Sequence, residues 1–422
     1  MKMETKKISS LILTFSRLLA GIVFIYSGFV KGIDPLGSTY KFIDYFVAFN
    51  IEFLEPLAFP MSILLSAAEM LIGLALVAGI HMIIASWAVF LFMAFFTILT
   101  FFIALTDPVA DCGCFGDAII LTNWETFWKN VVLMVFVTYL FVKRKEFSLF
   151  FNNKTAEWFT LSGFFAATLG IFFYSYLNLP VIDYRPYSIG ANIEEKMSIP
   201  PDAPTDEYEI TLYYEKEGEV KPFSADSLPG PDWNWVRTES TLVSKGYDPP
   251  VTDFFIESVD EGIDHTYDIL QQPGYTFILV SYSLDRSSVK NIDRINSLAG
   301  WSFNHGMDFI CITASPVSQI DEFVERTGAA YRFYHGDEIT LKTVIRSNPG
   351  LLLLKEGTIL GKWHYRNIPR TADLKENLTS YSLELQQDSK NDLITYGYIL
   401  ALFLVLTFLR LIRPGIKSNN KT

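Results

Sequence analysis

The residues best suited to chemistry in this chain are Cys112 and Cys114, separated by one glycine in the run Asp111-Cys112-Gly113-Cys114-Phe115-Gly116-Asp117. Thiol-disulfide exchange needs two sulfurs close enough to bridge and an accessible face for the attacking thiolate. A disulfide across one intervening residue closes a very small ring of off-optimum geometry, easier to reduce than a relaxed structural one. Gly113 supplies the backbone freedom that such a ring demands. Asp111 and Asp117 act against the thiolate by like charge, while a helix N-terminus nearby would act for it. Three uses of the pair stay open on these residues: an exchanging redox disulfide, a static loop-closing disulfide, or a metal site. Metal is the poorest fit, because a stable site wants about four ligands and no histidine lies near the pair. His81, His265, His305, His335 and His364 are scattered, and each reads as a satisfied core or surface residue, so no metal is expected. Cys311, inside Phe309-Ile310-Cys311-Ile312, reads as a buried structural cysteine.

The pair needs a scaffold, and composition says which kind. Half of the 422 residues are apolar, 36 of them phenylalanine, and the mean hydropathy is +0.25, more than a soluble protein of this size carries. Six segments approach the ~20 residues that cross a hydrocarbon core: Ile8–Val30, Phe59–Ile80, Met82–Leu105, Trp124–Val142, Trp158–Leu179 and Leu393–Ile412. The first is too long for a signal-peptide core and lacks a small-x-small cleavage site, so it is expected to stay as a helix. Lys2, Lys6 and Lys7, then Lys143-Arg144-Lys145, then Arg410, Arg413 and Lys417 all fall on one side if the N-terminus is cytoplasmic. Both termini are then cytoplasmic, and loops 31–58 and 106–123 and the stretch 180–393 lie outside. That stretch carries 34 acidic against 19 basic residues within a chain of net charge -12, which leaves no basic face for nucleic acid. The cysteine pair would sit in an oxidising compartment.

Local signals refine the scaffold. After Asp34-Pro35, the residues Tyr40, Ile43, Phe46, Val47 and Ile51 recur at helical spacing and predict an interfacial helix. Thr122-x-x-Glu125 before an apolar run predicts a capping box that starts the fourth span just beyond the cysteines. Two ionisable residues inside spans, Arg17 and Glu69, are expected to meet at one depth as a structural ion pair, since a lone charge at mid-bilayer is costly. Residues 180–250 are rich in Pro, Asp, Glu and Tyr, with one hairpin, Tyr208–Tyr214 and Glu219–Phe223. Residues 251–370 alternate strand-like runs (Tyr275–Tyr282, Asp308–Thr313, Leu351–Leu354, Thr358–Trp363) with helix-like ones (Ser287–Trp301, Ser318–Thr327, Thr340–Arg346), an α/β layout.

Arg17, Ser27-Gly28 with Lys31, Asp34-Pro35, Ala68-Glu69 with Gly73, and above all Cys112-Gly113-Cys114-Phe115-Gly116 resemble the DoxX/MauE group of four-helix membrane proteins. The resemblance implies a redox-associated or maturation role; MauE is linked to methylamine utilisation, where it supports maturation of a disulfide-rich enzyme subunit. Residues 250–370 resemble a thioredoxin-like domain, with Ser347-Asn348-Pro349-Gly350 at the place where that fold carries a cis-proline beside its active site. The expected Cys-x-x-Cys is replaced by Ser283-Leu284-Asp285-Arg286-Ser287-Ser288, so the resemblance implies binding without thiol chemistry in that domain.

The sequence therefore predicts a membrane all-α bundle with two further spans and an extracytoplasmic α/β thioredoxin-like domain. Its divisions are a four-span bundle (1–145), a fifth span (146–180), a linker and β region (181–250), the thioredoxin-like domain (251–390) and a C-terminal span and tail (391–422). The leading function is a redox-associated inner-membrane accessory protein, with Cys112 and Cys114 as the redox pair of a thiol-disulfide relay. An extracytoplasmic protein client would be positioned near Pro349; Tyr331, Phe333, Tyr334, Trp363 and Tyr365 could line a surface there, although core packing is the expected role of most of them. No motif marks a cofactor, although a quinone could take electrons from a membrane-surface disulfide. Two other functions remain open: a non-catalytic scaffold stapled by the pair, and a small-molecule or ion pathway through the bundle at Glu69.

Overall fold

The structure, a computed structural model, describes residues 2–147, 154–374 and 377–387, with isolated positions between 394 and 405. Helix α1 (Lys2–Ile33) is followed by α2 (Pro35–Ala48), α3 (Ala58–Ala78), α4 (Met82–Thr106), α5 (Asn123–Val142) and α6 (Lys154–Leu177). Among the described residues, five helices are long and apolar enough to cross a membrane, α2 being the exception. The expected interfacial helix is α2, and its start has a local cause: Asp34 accepts from the Gly37 amide, while Pro35 occupies the first turn, where its missing N–H costs nothing. The anticipated sixth span, Leu393–Ile412, lies outside the described residues apart from isolated positions, of which Tyr398 and Leu402 pack against the bundle core.

Close approach of α1 and α3 organises the bundle. A β-carbon on Gly28 would lie 2.5 Å from the Met70 amide nitrogen, and one on Gly73 would lie 2.6 Å from that of Ile25. Small residues at seven-residue spacing, Gly21 and Gly28 on α1 and Ser66 and Gly73 on α3, let the two backbones touch, the usual device where lipid removes any hydrophobic drive for association. This contact also fixes the register and corrects one expectation. Gly28 faces Ser66 and Met70, and Gly21 faces Val77, so Glu69 lies level with Ser27 and Gly28. Arg17 lies ~15 Å further along α1, near the end of α3, with its guanidinium beside the Phe147 ring. The predicted Arg17–Glu69 pair does not form; Glu69 pairs instead with Lys31. The error came from counting depth from assumed span ends, when the glycine contacts set the relative height.

The remainder forms two sheets. Strands β1 (Glu207–Lys216), β2 (Glu219–Ser224) and β3 (Asn234–Ser244) make an antiparallel sheet of order β2-β1-β3. The β1–β2 hairpin matches the predicted one. Strand β3 escaped sequence reading because every one of its residues is exposed and no apolar alternation marks it.

The second sheet comprises β4 (Glu257–Ser258), β5 (Tyr275–Ser281), β6 (Asp308–Thr313), β7 (Arg332–His335), β8 (Gly350–Lys355) and β9 (Thr358–His364), in the order β4-β7-β6-β5-β8-β9. Strands β5, β6 and β7 are parallel, and β8 runs antiparallel to both β5 and β9. Both faces of the central strands are covered, which is why they read as unbroken apolar runs. Ile278, Val280, Ile310 and Ile312 fill one core, and Phe277, Leu279, Phe309 and Cys311 fill the other. Burial pushes the Cys311 thiol above its ordinary range, in keeping with an inert residue. The Asn348–Pro349 peptide bond is cis, and Pro349 is buried.

The segment after α6 is not a linker, as the sequence had suggested. Tyr187 and Ile193 enter the core of the second sheet, and the Ile193 amide donates to the Gly357 carbonyl. Lys362, almost fully buried, donates to Asp183 and to the Tyr187 and Val344 carbonyls. Burial alone would raise the Asp183 carboxyl, but Arg185 and Lys362 together hold it well below the usual carboxylate range. Prolines and acidic residues at 180–206 gave the segment a linker's composition, while its anchoring side chains are too widely spaced to form a periodic signal.

Overpacking at the α1–α3 contact should destabilise the bundle. Gly73→Ala is expected to cost about 1–3 kcal/mol, whereas Gly163→Ala on α6, where nothing lies within 4 Å of the new methyl, should be neutral or stabilising by up to ~1 kcal/mol. Thermal unfolding of the two purified variants beside wild type checks this.

Candidate functional site

The cysteine loop runs between α4 and α5 and is pinned at both ends. Asn123, buried at the start of α5, donates to the Asp107 carboxylate and the Val109 carbonyl. Thr122 and Glu125 form the full capping box predicted from sequence. Within the loop, Gly113 and Gly116 have φ of +64° and +51°, backbone that glycine adopts without strain. Cys112 Sγ and Cys114 Sγ lie 3.0 Å apart as free thiols, both half-buried.

Neighbouring helices grip the loop by its carbonyls. Tyr45 of α2 donates to the Cys112 carbonyl at 2.9 Å, and Ser27 of α1 donates to the Cys114 carbonyl at 2.8 Å. Ser27 Oγ is also 3.0 Å from Glu69 Oε2, so its single proton can serve one acceptor at a time. Glu69 in turn takes Lys31 Nζ at 2.5 and 2.6 Å through its two oxygens, with 6% of its side chain exposed. One chain of contacts thus runs from the buried ion pair to the redox candidate: Lys31, Glu69, Ser27, Cys114.

The opposing charge effects expected from sequence resolve here. Asp111 accepts from Lys41 Nζ at 2.7 Å and from the Gly113 amide. Asp117 accepts from Arg346 at 3.0 Å. Each acidic neighbour is therefore committed to a cation or an amide. Lys129 of α5 stands 4.3 Å over the Phe115 ring. A hydrogen bond from Cys112, helped by Lys129 and Lys31 and opposed by burial, holds the Cys114 thiol below its ordinary range. The same hydrogen bond and burial push Cys112 up. The pair is electrically asymmetric, with Cys114 the sulfur whose thiolate the surroundings favour.

The α/β domain reaches into the site through Arg346, three residues before Pro349. Its guanidinium is buried and donates to both Asp34 oxygens, at 2.9 and 3.0 Å, as well as to Asp117. Lys342, on the short helix α7 (Glu338–Val344), lies over the Tyr40 ring of α2. The edge of the domain that carries Pro349 is thus turned toward the bundle. Of the aromatic residues weighed for that surface, Tyr331, Phe333, Tyr334 and Trp363 pack into cores, the role expected for most of them. Tyr365 stacks beside His364.

Cys112 and Cys114 open on a cavity of about 960 Å³ that reaches from Arg346 and Lys41 down among Phe24, Phe92 and Leu133 of the bundle. Among the described residues no cluster of three or more His, Cys, Asp or Glu is arranged to hold a metal. The structure brings Cys112, Cys114 and Glu69 into one site and leaves Arg17 outside it. Lys129 and Lys31 were not singled out as site residues from sequence, yet each carried a signal: Lys129 is a charge inside the fourth apolar run, and Lys31 ends the first. Arg346 and Tyr45 carried none, since their roles depend on how distant elements dock.

At neutral pH, reduced wild-type protein should be alkylated at Cys114 before Cys112, with a midpoint below the ordinary thiol value. Lys129→Gln should move that midpoint upward. Site-resolved mass spectrometry across a pH series reads both. Arg346→Gln leaves Asp34 short of its buried partner and should cost about 3 kcal/mol, the low end for a broken buried pair, because Asp117 is 39% exposed. Faster proteolytic release of the α/β domain would report it.

Residues 9–143 match the family described as methylamine utilisation protein MauE, and residues 208–245, the β1–β3 sheet, match a domain of unknown function, DUF8463. No curated protein matches the chain. Among solved structures, a candidate protein disulfide isomerase from Bacteroides thetaiotaomicron, determined in solution, aligns at 14% identity over 32% of this chain and 84% of its own, with a TM-score of 0.23. The five apolar helices and the match of residues 9–143 make this a multi-pass membrane protein with a MauE-like N-terminal bundle.

Proposed function

We propose that this protein is a redox-associated accessory factor of the inner membrane, in which Cys112 and Cys114 exchange disulfides with extracytoplasmic protein clients during their maturation. The observation that carries the reading is the asymmetric pair itself: two half-buried thiols 3.0 Å apart, with Cys114 favoured as thiolate beside Lys129 and Lys31. In the reducing direction Cys114 attacks a client disulfide and Cys112 resolves the mixed disulfide; in the oxidising direction a client thiolate attacks Cys114 of the S–S bond, Cys112 leaves as the thiolate, and the client's second thiol displaces Cys114 to close the client disulfide. The basic clusters at Lys2–Lys7 and Lys143–Lys145 favour the orientation that puts the cysteine loop and the α/β domain outside the cytoplasm.

The loop is already held without an S–S bond, by Tyr45, Ser27, Lys41 and Asn123. That weighs against the static staple, which would be needed only if nothing else closed the loop. The α/β domain, with parallel β5–β7, the β8–β9 hairpin and the cis bond before β8, reads as thioredoxin-like. Its part in this reading is to hold the cysteine loop from above through Arg346, since its Pro349 edge is turned to the bundle.

A trapping experiment tests the reading. Cys112→Ser should accumulate a mixed disulfide between Cys114 and a client, visible on non-reducing gels and removed by dithiothreitol. Cys114→Ser should accumulate far less. No adduct with either variant, together with normal folding and unimpaired client maturation, would leave the scaffold reading in its place.

A further inference from the structure

A pair that oxidises clients must pass their electrons on, and the cavity beside it has the shape and chemistry for an acceptor dissolved in the membrane. Resting on the exchange reading above, we propose that this cavity binds a membrane quinone, which takes the two electrons of Cys112 and Cys114. Three observations support it. The cavity, about 960 Å³, falls in the size range of small-molecule sites. On the side that the bilayer would cover, its wall is formed by side chains that face outward as well: Leu64 of α3 and Phe95 of α4 both line it and are 68% and 62% exposed. In the proposal a ligand enters past these two side chains from lipid, without crossing the polar cap formed by α2 and the α/β domain.

Polarity within the cavity is graded as an amphipathic quinone would require. Its deep part is walled by Phe24, Phe92 and Phe96, a surface suited to a flat ring and a branched hydrocarbon tail. Its upper part carries the two thiols, Lys129 and Asn130, so donors for quinone carbonyls stand beside the electron source. The reaction balances as a two-electron, two-proton transfer: the Cys112 S–H bond breaks and one S–S bond forms to the Cys114 thiolate, while the quinone gains two electrons, the Cys112 proton and one proton from solvent as two O–H bonds and leaves as quinol.

The test uses the full chain purified in detergent, pre-reduced, and mixed without oxygen with ubiquinone-1. Thiol loss at Cys112 and Cys114 should keep pace with quinol absorbance, one quinol per pair. Leu99→Trp, which narrows the cavity at the level of Asn130, and Leu64→Trp, which fills it from the lipid-facing wall, should each slow this by about tenfold or more, a loss equivalent to ~1.4 kcal/mol. Oxidation by glutathione disulfide should stay unchanged in both. Equal quinone rates in wild type and both variants would overturn the cavity's role. Oxidation by glutathione disulfide with none by quinone would overturn the proposal and leave the exchange reading standing; that includes the case in which co-purified phospholipid fills the cavity. Oxidation by neither would remove both.

Discussion

A carboxylate buried in a membrane bundle must have a cation within reach, and Glu69 imposes that condition on everything around it. An isolated charge at such a site is expensive, and the expense is met by a partner on the neighbouring helix rather than by solvent. Lys31 reaches Glu69 only because α1 and α3 are in backbone contact at Gly28 and Gly73. The same close approach sets Ser27 between Glu69 and the Cys114 carbonyl. Packing, charge burial and the position of a reactive loop are therefore one constraint. A change at a glycine that never touches sulfur would be felt at the thiol.

Electrostatics join the two halves of the molecule at this point. Arg346 reaches Asp117 across 229 residues of sequence and Asp34 across 312. Left alone, Asp117 would oppose a thiolate three residues away. Committed to Arg346, it becomes part of a surface where Lys41, Lys129 and Lys31 also stand. The α/β domain contributes no cysteine to the site, yet it helps set the charge under which the cysteines work.

Legibility in the sequence followed the range of the interaction. Features set by neighbours a few residues away were readable: the capping box at Thr122 and Glu125, the start of α2 at Asp34-Pro35, the apolar spans, and the buried strands β5 and β6. Glu69 stood out because a charge inside an apolar run demands a partner, but the choice of that partner was not local. Arg17 and Lys31 lie on the same helix, and only the glycine-set register of α1 against α3 decides between them. Strand β3 and the segment from Asp183 to Ile193 were missed for opposite reasons. The first is exposed throughout and so carries no apolar pattern, while the second anchors through a few widely spaced side chains amid prolines and acids. Arg346 could not be found at all without the docked domain, since nothing in its surroundings departs from an ordinary helix end.

The way the cysteine loop is held bears on what its sulfurs can do. Every bond that fixes it engages backbone or a neighbouring side chain: Tyr45 on one carbonyl, Ser27 on another, Lys41 on Asp111, Asn123 on Val109. Ser27, Lys41 and Asn123 use no sulfur as donor or acceptor, so forming or breaking an S–S bond leaves those three contacts in place. A loop whose shape depended on its disulfide would lose that shape whenever the bond was reduced, and would cycle poorly. Here the scaffold carries the geometry and leaves the sulfurs free, a division that suits the proposed exchange better than stapling.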